Sequence, residues 1–401
     1  MIEVSIIIPS YNRYPLNLLS LYALENQTFD LSKMEVILID DASTDDTPQL
    51  RNYNPLFRFH YVRNKTNMGL SSTRNIGLKM AHANIIIFLD SEVIADPDYV
   101  RNQHQYHLTE EQTVVVGRNI PKLYTHLFPD FNSGQINEIC DLANNSPFVK
   151  KRLQPNIKNM ELRTFIKDLK EPVQLLDKVD INKFSNLQSF SVPDKFFSVF
   201  YEQLGNDLDN RYISWWALFG LNHSLKKDLI VKAGGYDEEF KGWGMEDVEF
   251  AYRLYKSGAK FVLDPHSTLY HQEHPIRANK KQEARNNELL LLQKHPVFDV
   301  YIRSLKFALK QDLQFIGIVL QEHDSLCHQF PGQFEDFKSS IILLMQYALQ
   351  TEKKPVHNLL LISGIGDDPE KKDRIFSERN MIEKYGKYGN LVQLFDLLAA
   401  L

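Results

Sequence analysis

The chain has 401 residues, with 46 lysines and arginines against 51 aspartates and glutamates and a formal net charge of −5. That balance weighs against a general binder of nucleic acid or anionic membrane, and two widely separated cysteines, Cys140 and Cys327, weigh against a disulfide framework. No apolar run reaches transmembrane length, and the apolar stretch at Ile2–Ile8 leaves no room for a signal peptide, so a cytoplasmic protein is expected, with peripheral attachment at the inner membrane face left open.

In chain order, Val4–Pro9 reads as a buried strand ended by proline, and Ser10–Arg13 as a polar turn before an amphipathic helix with Leu16, Leu19, Leu21 and Leu24. Val36–Ile39 is a second buried strand ending in Asp40-Asp41, followed by turn and N-cap residues and a short helix. His60–Arg63 is a short strand, Asn67–Ser71 a turn, and Ser72–Ala81 a helix. Ile85–Leu89 is a fully apolar strand that delivers Asp90 and Glu92, on either side of Ser91, beyond its carboxyl end. Four strand–helix alternations in ninety residues predict a parallel, doubly wound sheet that binds ligands at the carboxyl ends of its strands. Hard oxygen ligands there suit Mg²⁺ or Mn²⁺ carrying a diphosphate. A dinucleotide fold and a P-loop are unsupported, because neither G-x-G-x-x-G nor a Walker sequence occurs.

Residues 119–212 read as a partly helical insertion without assigned function. The apolar stretch Ile213–Gly220 is expected to run along the sheet or the acceptor cleft. Ser224–Ala233 is expected to be a short helix and Gly234–Asp237 a tight turn. A helix begins near Met245 and closes at Gly258, and Lys260–Leu263 is a further strand. From Pro296 the chain is expected to be mainly helical, with packing on the catalytic domain as the default role and a homo-oligomer or a partner protein as alternatives. The expected division is 1–295, comprising 1–118, 119–212 and 213–295, and then 296–401.

Val4–Arg13, Asp40-Asp41, Asn67–Arg74, Asp90-Ser91-Glu92 and Trp243–Asp247, in that order, resemble the family 2 glycosyltransferases of GT-A fold. Residues around Gly234–His274 also resemble the galactosyltransferase-type module of chondroitin-polymerase-like and polypeptide N-acetylgalactosaminyltransferase-like enzymes. The resemblance covers about residues 1–115 and 210–280 and implies an α/β, mixed, doubly wound sheet flanked by helices, with a helical C-terminal extension.

It also implies transfer of a hexose or N-acetylhexosamine from a UDP-sugar to a saccharide or glycoconjugate, as in polysaccharide biosynthesis. Pro9, Tyr11 and Arg13 match nucleoside-pocket positions, and Asp41 matches the acceptor for the uracil imide, with Asp40 a competitor. Asn67, Gly69 and Arg74 match the segment near the uridine and diphosphate. Asp90 and Glu92, flanking Ser91, match the D-x-D metal site with Glu in place of the second Asp, and His271 is the added ligand, with His274 in reserve. Asp247 matches the acceptor base, Glu246 a group that orients hydroxyls, and Trp243 an apolar face for a sugar ring. A base opposite the leaving group implies inversion at the anomeric carbon. A retaining transferase of the same fold, a nucleotidyltransferase and a non-catalytic nucleotide-sugar-binding scaffold are the alternatives.

Overall fold

The computed structural model describes residues 1–157, 160–205, 208, 210–309, 311–351 and 358–401. The chain forms two compact units, Met1–Leu208 with Ser214–Asn287, and Asp209–Ile213 with Glu288–Leu401.

In the first unit, β1 (Val4–Ser10), β2 (Met34–Asp40), β3 (Arg58–Arg63) and β4 (Ile85–Leu89) run parallel in the order β4-β1-β2-β3. Every residue of β1, β2 and β4 is buried, as expected of near-continuous apolar runs in a sheet covered on both faces. Helices α1 (Leu16–Glu25) and α2 (Leu70–Met80) connect them. Register pairs Ser10 with Asp40 and Ile7 with Phe88, so the chain leaves β1, β2 and β4 along one edge. Tyr11, Asp41 and Asp90 therefore emerge together, where a parallel sheet binds its ligands.

Beyond Glu92 come β5 (Val93–Ala95), α3 (Tyr99–Thr109) and β6 (Thr113–Asn119). The sheet is mixed rather than purely parallel, because β7 (Asn222–Lys226) runs antiparallel between β4 and β6. This corrects the helix expected over Ser224–Ala233, whose helical part is only Lys227–Lys232. Asn222, His223 and Ser224 of β7 are buried and tied to neighbouring elements by hydrogen bonds. Asn222 Oδ1 accepts from Gly117 N–H at 2.6 Å, and Ser224 Oγ donates to Gln103 Oε1 at 2.7 Å. A strand that carries its own buried hydrogen-bond network lacks the apolar signature of its neighbours.

Ile213–Gly220 runs along the sheet, one of its two expected places. Ser214–Ala217 is a buried 3₁₀ turn, so its tryptophans form core rather than a cleft wall. Helix α4 (Glu246–Lys256) follows, and β8 extends over Lys260–Gln272, far past Leu263, with an irregularity between Asp264 and Thr268. Its far end pairs antiparallel with β5, bringing His271 opposite Val93, one residue after Glu92.

The insertion packs onto the sheet-forming part through a shared core. Helices Ser133–Asn145 and Pro147–Ile157 and short neighbouring segments bury Ile136, Ile139, Val149, Leu153 and Ile166 with Leu19, Ile94 and Tyr270 of the sheet-forming part.

The second unit contains helices Phe298–Leu309, Leu313–Gln329, Glu335–Thr351, Leu359–Ile362, Pro369–Lys384 and Gly389–Ala399. In Leu313–Gln329 the buried residues Leu313, Ile316, Val319 and Leu320 follow three- and four-residue spacing. Asp312 caps that helix by accepting from Phe315 N–H at 2.7 Å. Asp368 does the same before Pro369 through Lys371 N–H at 3.0 Å. No helix among the described residues is long and apolar enough to cross a membrane.

Candidate active site

The loops leaving β1 and β2 are joined by side chains. Asn12, at φ 54°, donates its N–H to Ser43 Oγ at 2.9 Å and accepts from Thr44 N–H at 2.7 Å. Tyr14 N–H donates to Asp45 Oδ2 at 2.8 Å. Pro9 is buried within β1, whereas the Tyr11 side chain is exposed.

Asp40 and Asp41 have separate duties. Asp40 is fully buried and accepts from Tyr61 Oη at 2.5 Å, Ser43 N–H at 2.7 Å and Arg63 at 3.2 Å. It braces the sheet edge. Asp41 accepts from Asn64 Nδ2, Met68 N–H and Gly69 N–H at 2.7, 2.8 and 2.9 Å. It therefore shapes the turn that leads into α2. Asn67 lies exposed on that turn, and Gly69, at φ 88°, precedes the helix.

Arg74 is turned into the protein. It is 1% exposed. Its guanidinium donates to Glu246 Oε1 at 3.0 Å, to the Gly220 carbonyl at 3.0 Å and to Asp90 Oδ1 at 3.2 Å. It also lies 4.9 Å from the Tyr236 ring centroid. The negative charge it offsets belongs to the protein. A buried arginine with a planar fork can hold three acceptors at once, which a lysine cannot do with the same geometry.

Ser91 is buried and donates to Glu92 Oε2 at 3.0 Å. Glu92, His271 and His274 each place one ligand atom within 4.8 Å of the others. His274 Nε2 lies 3.3 Å and Arg13 Nε 3.1 Å from Glu92 Oε1. Burial opposes ionisation of Glu92, but Arg13 and the His274 hydrogen bond together hold its carboxyl well below the usual range. Two imidazoles with one ionised, buried carboxylate fit a divalent cation, and β8 and β5 bring them together.

Asp90, expected to share the metal site with Glu92 and His271, lies outside this trio. It is turned toward Arg74, and desolvation raises its carboxyl while Arg74 pulls it down. Sequence reasoning kept His274 in reserve; the structure puts it beside Glu92.

The turn before α4 is held from below. Trp243 N–H donates to Glu283 Oε2 at 2.9 Å, and Asn287 Nδ2 donates to the carbonyls of Lys241 and Gly244 at 2.9 and 2.7 Å. Met245, at φ 70°, sits in the left-handed region that a side chain disfavours, immediately before the two carboxylates. Trp243 is exposed, with Lys280 Nζ 4.0 Å from its ring centroid. Asp247 is half-buried, and its Oδ2 accepts from Gly220 N–H at 2.8 Å.

Glu246 is buried, with Oε1 on Arg74 and Oε2 without a hydrogen-bond partner among the described residues. Desolvation, and next the charge of Asp247, raise its carboxyl to about 7 despite Arg74. Between its ordinary range and about 7 the folded chain thus holds a proton that the unfolded chain has lost, so this group's stabilisation fades as pH rises through that window. Glu246→Gln is expected to match the native Tm near pH 4.5 and to gain on it progressively toward pH 7 and above. Thermal melts of both proteins across that range check this; parallel curves would contradict it.

Glu283, Asn287 and Lys280 escaped sequence reasoning, since a polar helix beyond His274 carries no local signal of what it clamps. The ties from Asn75 also escaped it. Asn75 Nδ2 donates to the Tyr236 carbonyl at 2.8 Å, and Asn75 Oδ1 accepts from Tyr236 N–H at 2.9 Å. Only the adjacency of Asn75 to Arg74 hinted at them.

Residues 5–137 match Glycosyl transferase family 2, and residues 204–275 match the family described as N-terminal domain of galactosyltransferase. An uncharacterized glycosyltransferase of Bacillus subtilis, YfnE, is 28% identical over 298 residues, 73% of this chain and 70% of that one. The chondroitin synthase of Escherichia coli is 29% identical over 306 residues, 74% of this chain but only 39% of the synthase. Among solved structures, Staphylococcus aureus TarS 1–349 with UDP aligns over 97% of this chain and 92% of its own, with 15% identity and a TM-score of 0.46. The chain is a glycosyltransferase in which a segment similar to family 2 and a segment similar to the galactosyltransferase type meet at the carboxyl edge of one mixed sheet.

Proposed function

We propose that this chain is a metal-dependent, inverting transferase that moves a hexose or N-acetylhexosamine from a UDP-sugar to a saccharide or glycoconjugate. The observation that carries the reading is Arg74, whose one guanidinium joins Asp90 from the donor half to Glu246 from the acceptor half. Both halves therefore form a single site. The relative named chondroitin synthase supports a saccharide acceptor.

Tyr11 offers an exposed ring for the nucleobase. Asp41 uses three acceptor positions on the protein, leaving about one of its four for the uracil imide. Asn67 and Gly69 shape the turn beside the ribose. Arg13 presents a cation to phosphate oxygens. Glu92, His271 and His274 would hold Mn²⁺ or Mg²⁺, with Asp90 in electrostatic support. A divalent cation held there supplies positive charge against the departing diphosphate.

Asp247 takes the acceptor proton as the new bond forms. It lies in the first turn of α4, held by the Gly220 N–H. Arg74 keeps Glu246 fixed beneath it, and Trp243 gives the sugar ring an apolar face.

Incubation with UDP-hexoses and UDP-N-acetylhexosamines, Mn²⁺ and a panel of oligosaccharides, followed by proton NMR, tests the reading. A product with the anomeric configuration opposite to the donor's is expected. Retained configuration would overturn inversion, and absence of transfer across the panel would overturn the assigned donor and acceptor classes.

A further inference from the structure

A second cluster with metal-binding character lies at the other end of the strands. Glu35 is the second residue of β2 and Asp40 the last, a separation of about 17 Å at the usual rise. Glu35, His60 of β3 and His82, just beyond α2, place their ligand atoms within 4.8 Å of one another. Nothing in the proposed transfer reaction uses them.

Three observations distinguish this group from a chance polar patch. First, Glu35 is fully buried near the sheet's edge. Ser5 Oγ and His82 N–H fix its Oε1, at 2.6 and 2.7 Å, which aims Oε2 at the two imidazoles. Second, His82 Nδ1 is 3.0 Å and His60 Nε2 3.4 Å from Oε2. The edge of a tetrahedron with zinc–nitrogen or zinc–oxygen bonds of about 2.0–2.1 Å is about 3.3 Å long, so these gaps match ligands around one ion. Third, His60 Nε2 is buried and, despite that proximity, has no hydrogen-bond partner among the described residues. A buried ring nitrogen that makes no hydrogen bond can offer its lone pair to a cation.

We propose that Glu35, His60 and His82 form a structural site for a borderline divalent transition cation of the Zn²⁺ class, with water as fourth ligand on the exposed side of His82. Two imidazoles and one carboxylate, with no diphosphate to add oxygen ligands, suit such cations. The ion would fasten the end of α2 to β2 and β3. Its charge would balance the fully buried carboxylate of Glu35. Arg58 Nε stands 4.0 Å from the same oxygen, beyond hydrogen-bond range, on a half-exposed side chain with room to turn away.

The test is calorimetric titration of the chelator-stripped full chain with Zn²⁺ alone, with melts of each sample. Because Glu92, His271 and His274 carry the same donor types, the wild type is expected to take up one equivalent at each cluster. His60→Gln/His82→Gln should lose one equivalent and that part of the zinc-dependent rise in Tm. His271→Asn/His274→Asn should lose the other equivalent and keep the rise due to Glu35. The loss of affinity should exceed the ~10–100-fold typical for an outer-shell partner. Equal zinc uptake and equal melting shifts in wild type and His60→Gln/His82→Gln would overturn the proposal. If that double variant fails to fold, His82→Asn, on an exposed ring, decides in its place: an unchanged isotherm overturns the site, and a weakened one supports it.

Discussion

Arg74→Leu is expected to destabilise the chain by about 3–5 kcal/mol, the range for removing one partner from a buried ion pair. The cost arises because the arginine is shared. Its loss leaves Glu246 buried and uncompensated, removes the donor to the Gly220 carbonyl and leaves Asp90 beside Glu92 without its counter-ion. Glu246, already raised to about 7, should rise further and stay protonated under assay conditions. Arg74→Lys should fall between the two, since it keeps charge but cannot reach three acceptors in one plane. Urea denaturation with an unchanged m-value would give the stability difference directly. A cost under about 1 kcal/mol for Arg74→Leu would mean the carboxylates find other partners, and Arg74 would not be the link between the two halves.

Asp247→Asn should reduce kcat by about 10²–10⁴-fold, the usual contribution of a positioned base. Donor binding should change little. The amide has the carboxylate's shape and can still accept from Gly220 N–H, so the loop before β7 keeps its place. An equal fall in kcat and kcat/KM is the signature of a group acting only in the transition state. Glu246→Gln is the necessary control, because a carboxyl raised to about 7 has a basicity suited to neutral pH. Its burial and its bond to Arg74 argue against contact with an acceptor. If Asp247→Asn stays active while Glu246→Gln loses turnover, the proton passes to Glu246.

Strands β1, β2 and β4 were legible because they are buried on both faces, which leaves unbroken apolar runs, and their polar ends marked the binding edge. Strand β7 was illegible for the opposite reason. Asn222, His223 and Ser224 are core residues whose polar atoms bond one another's neighbours, and in sequence such a run looks like a helix start or a loop. The far half of β8 was hidden by Asp264-Pro265-His266, which punctuates the chain as a strand end would. Asp90 and Glu92 were found together by spacing, but spacing does not say that Asp90 turns to Arg74, on the helix before its strand, while Glu92 meets His271 and His274 from far along the chain. The same holds for Arg74, whose Glu246 is 172 residues distant. Local pattern reports which residues end a strand; only tertiary packing decides which of them face each other.

Binding of a UDP-sugar to the wild-type chain and to His271→Asn/His274→Asn, measured by calorimetry with Mn²⁺ and then with chelator, tests the central claim most directly. The account predicts saturable, manganese-dependent binding to wild type that chelator abolishes and the double variant loses. Equal binding of the UDP-sugar by both proteins, with or without metal, would contradict it.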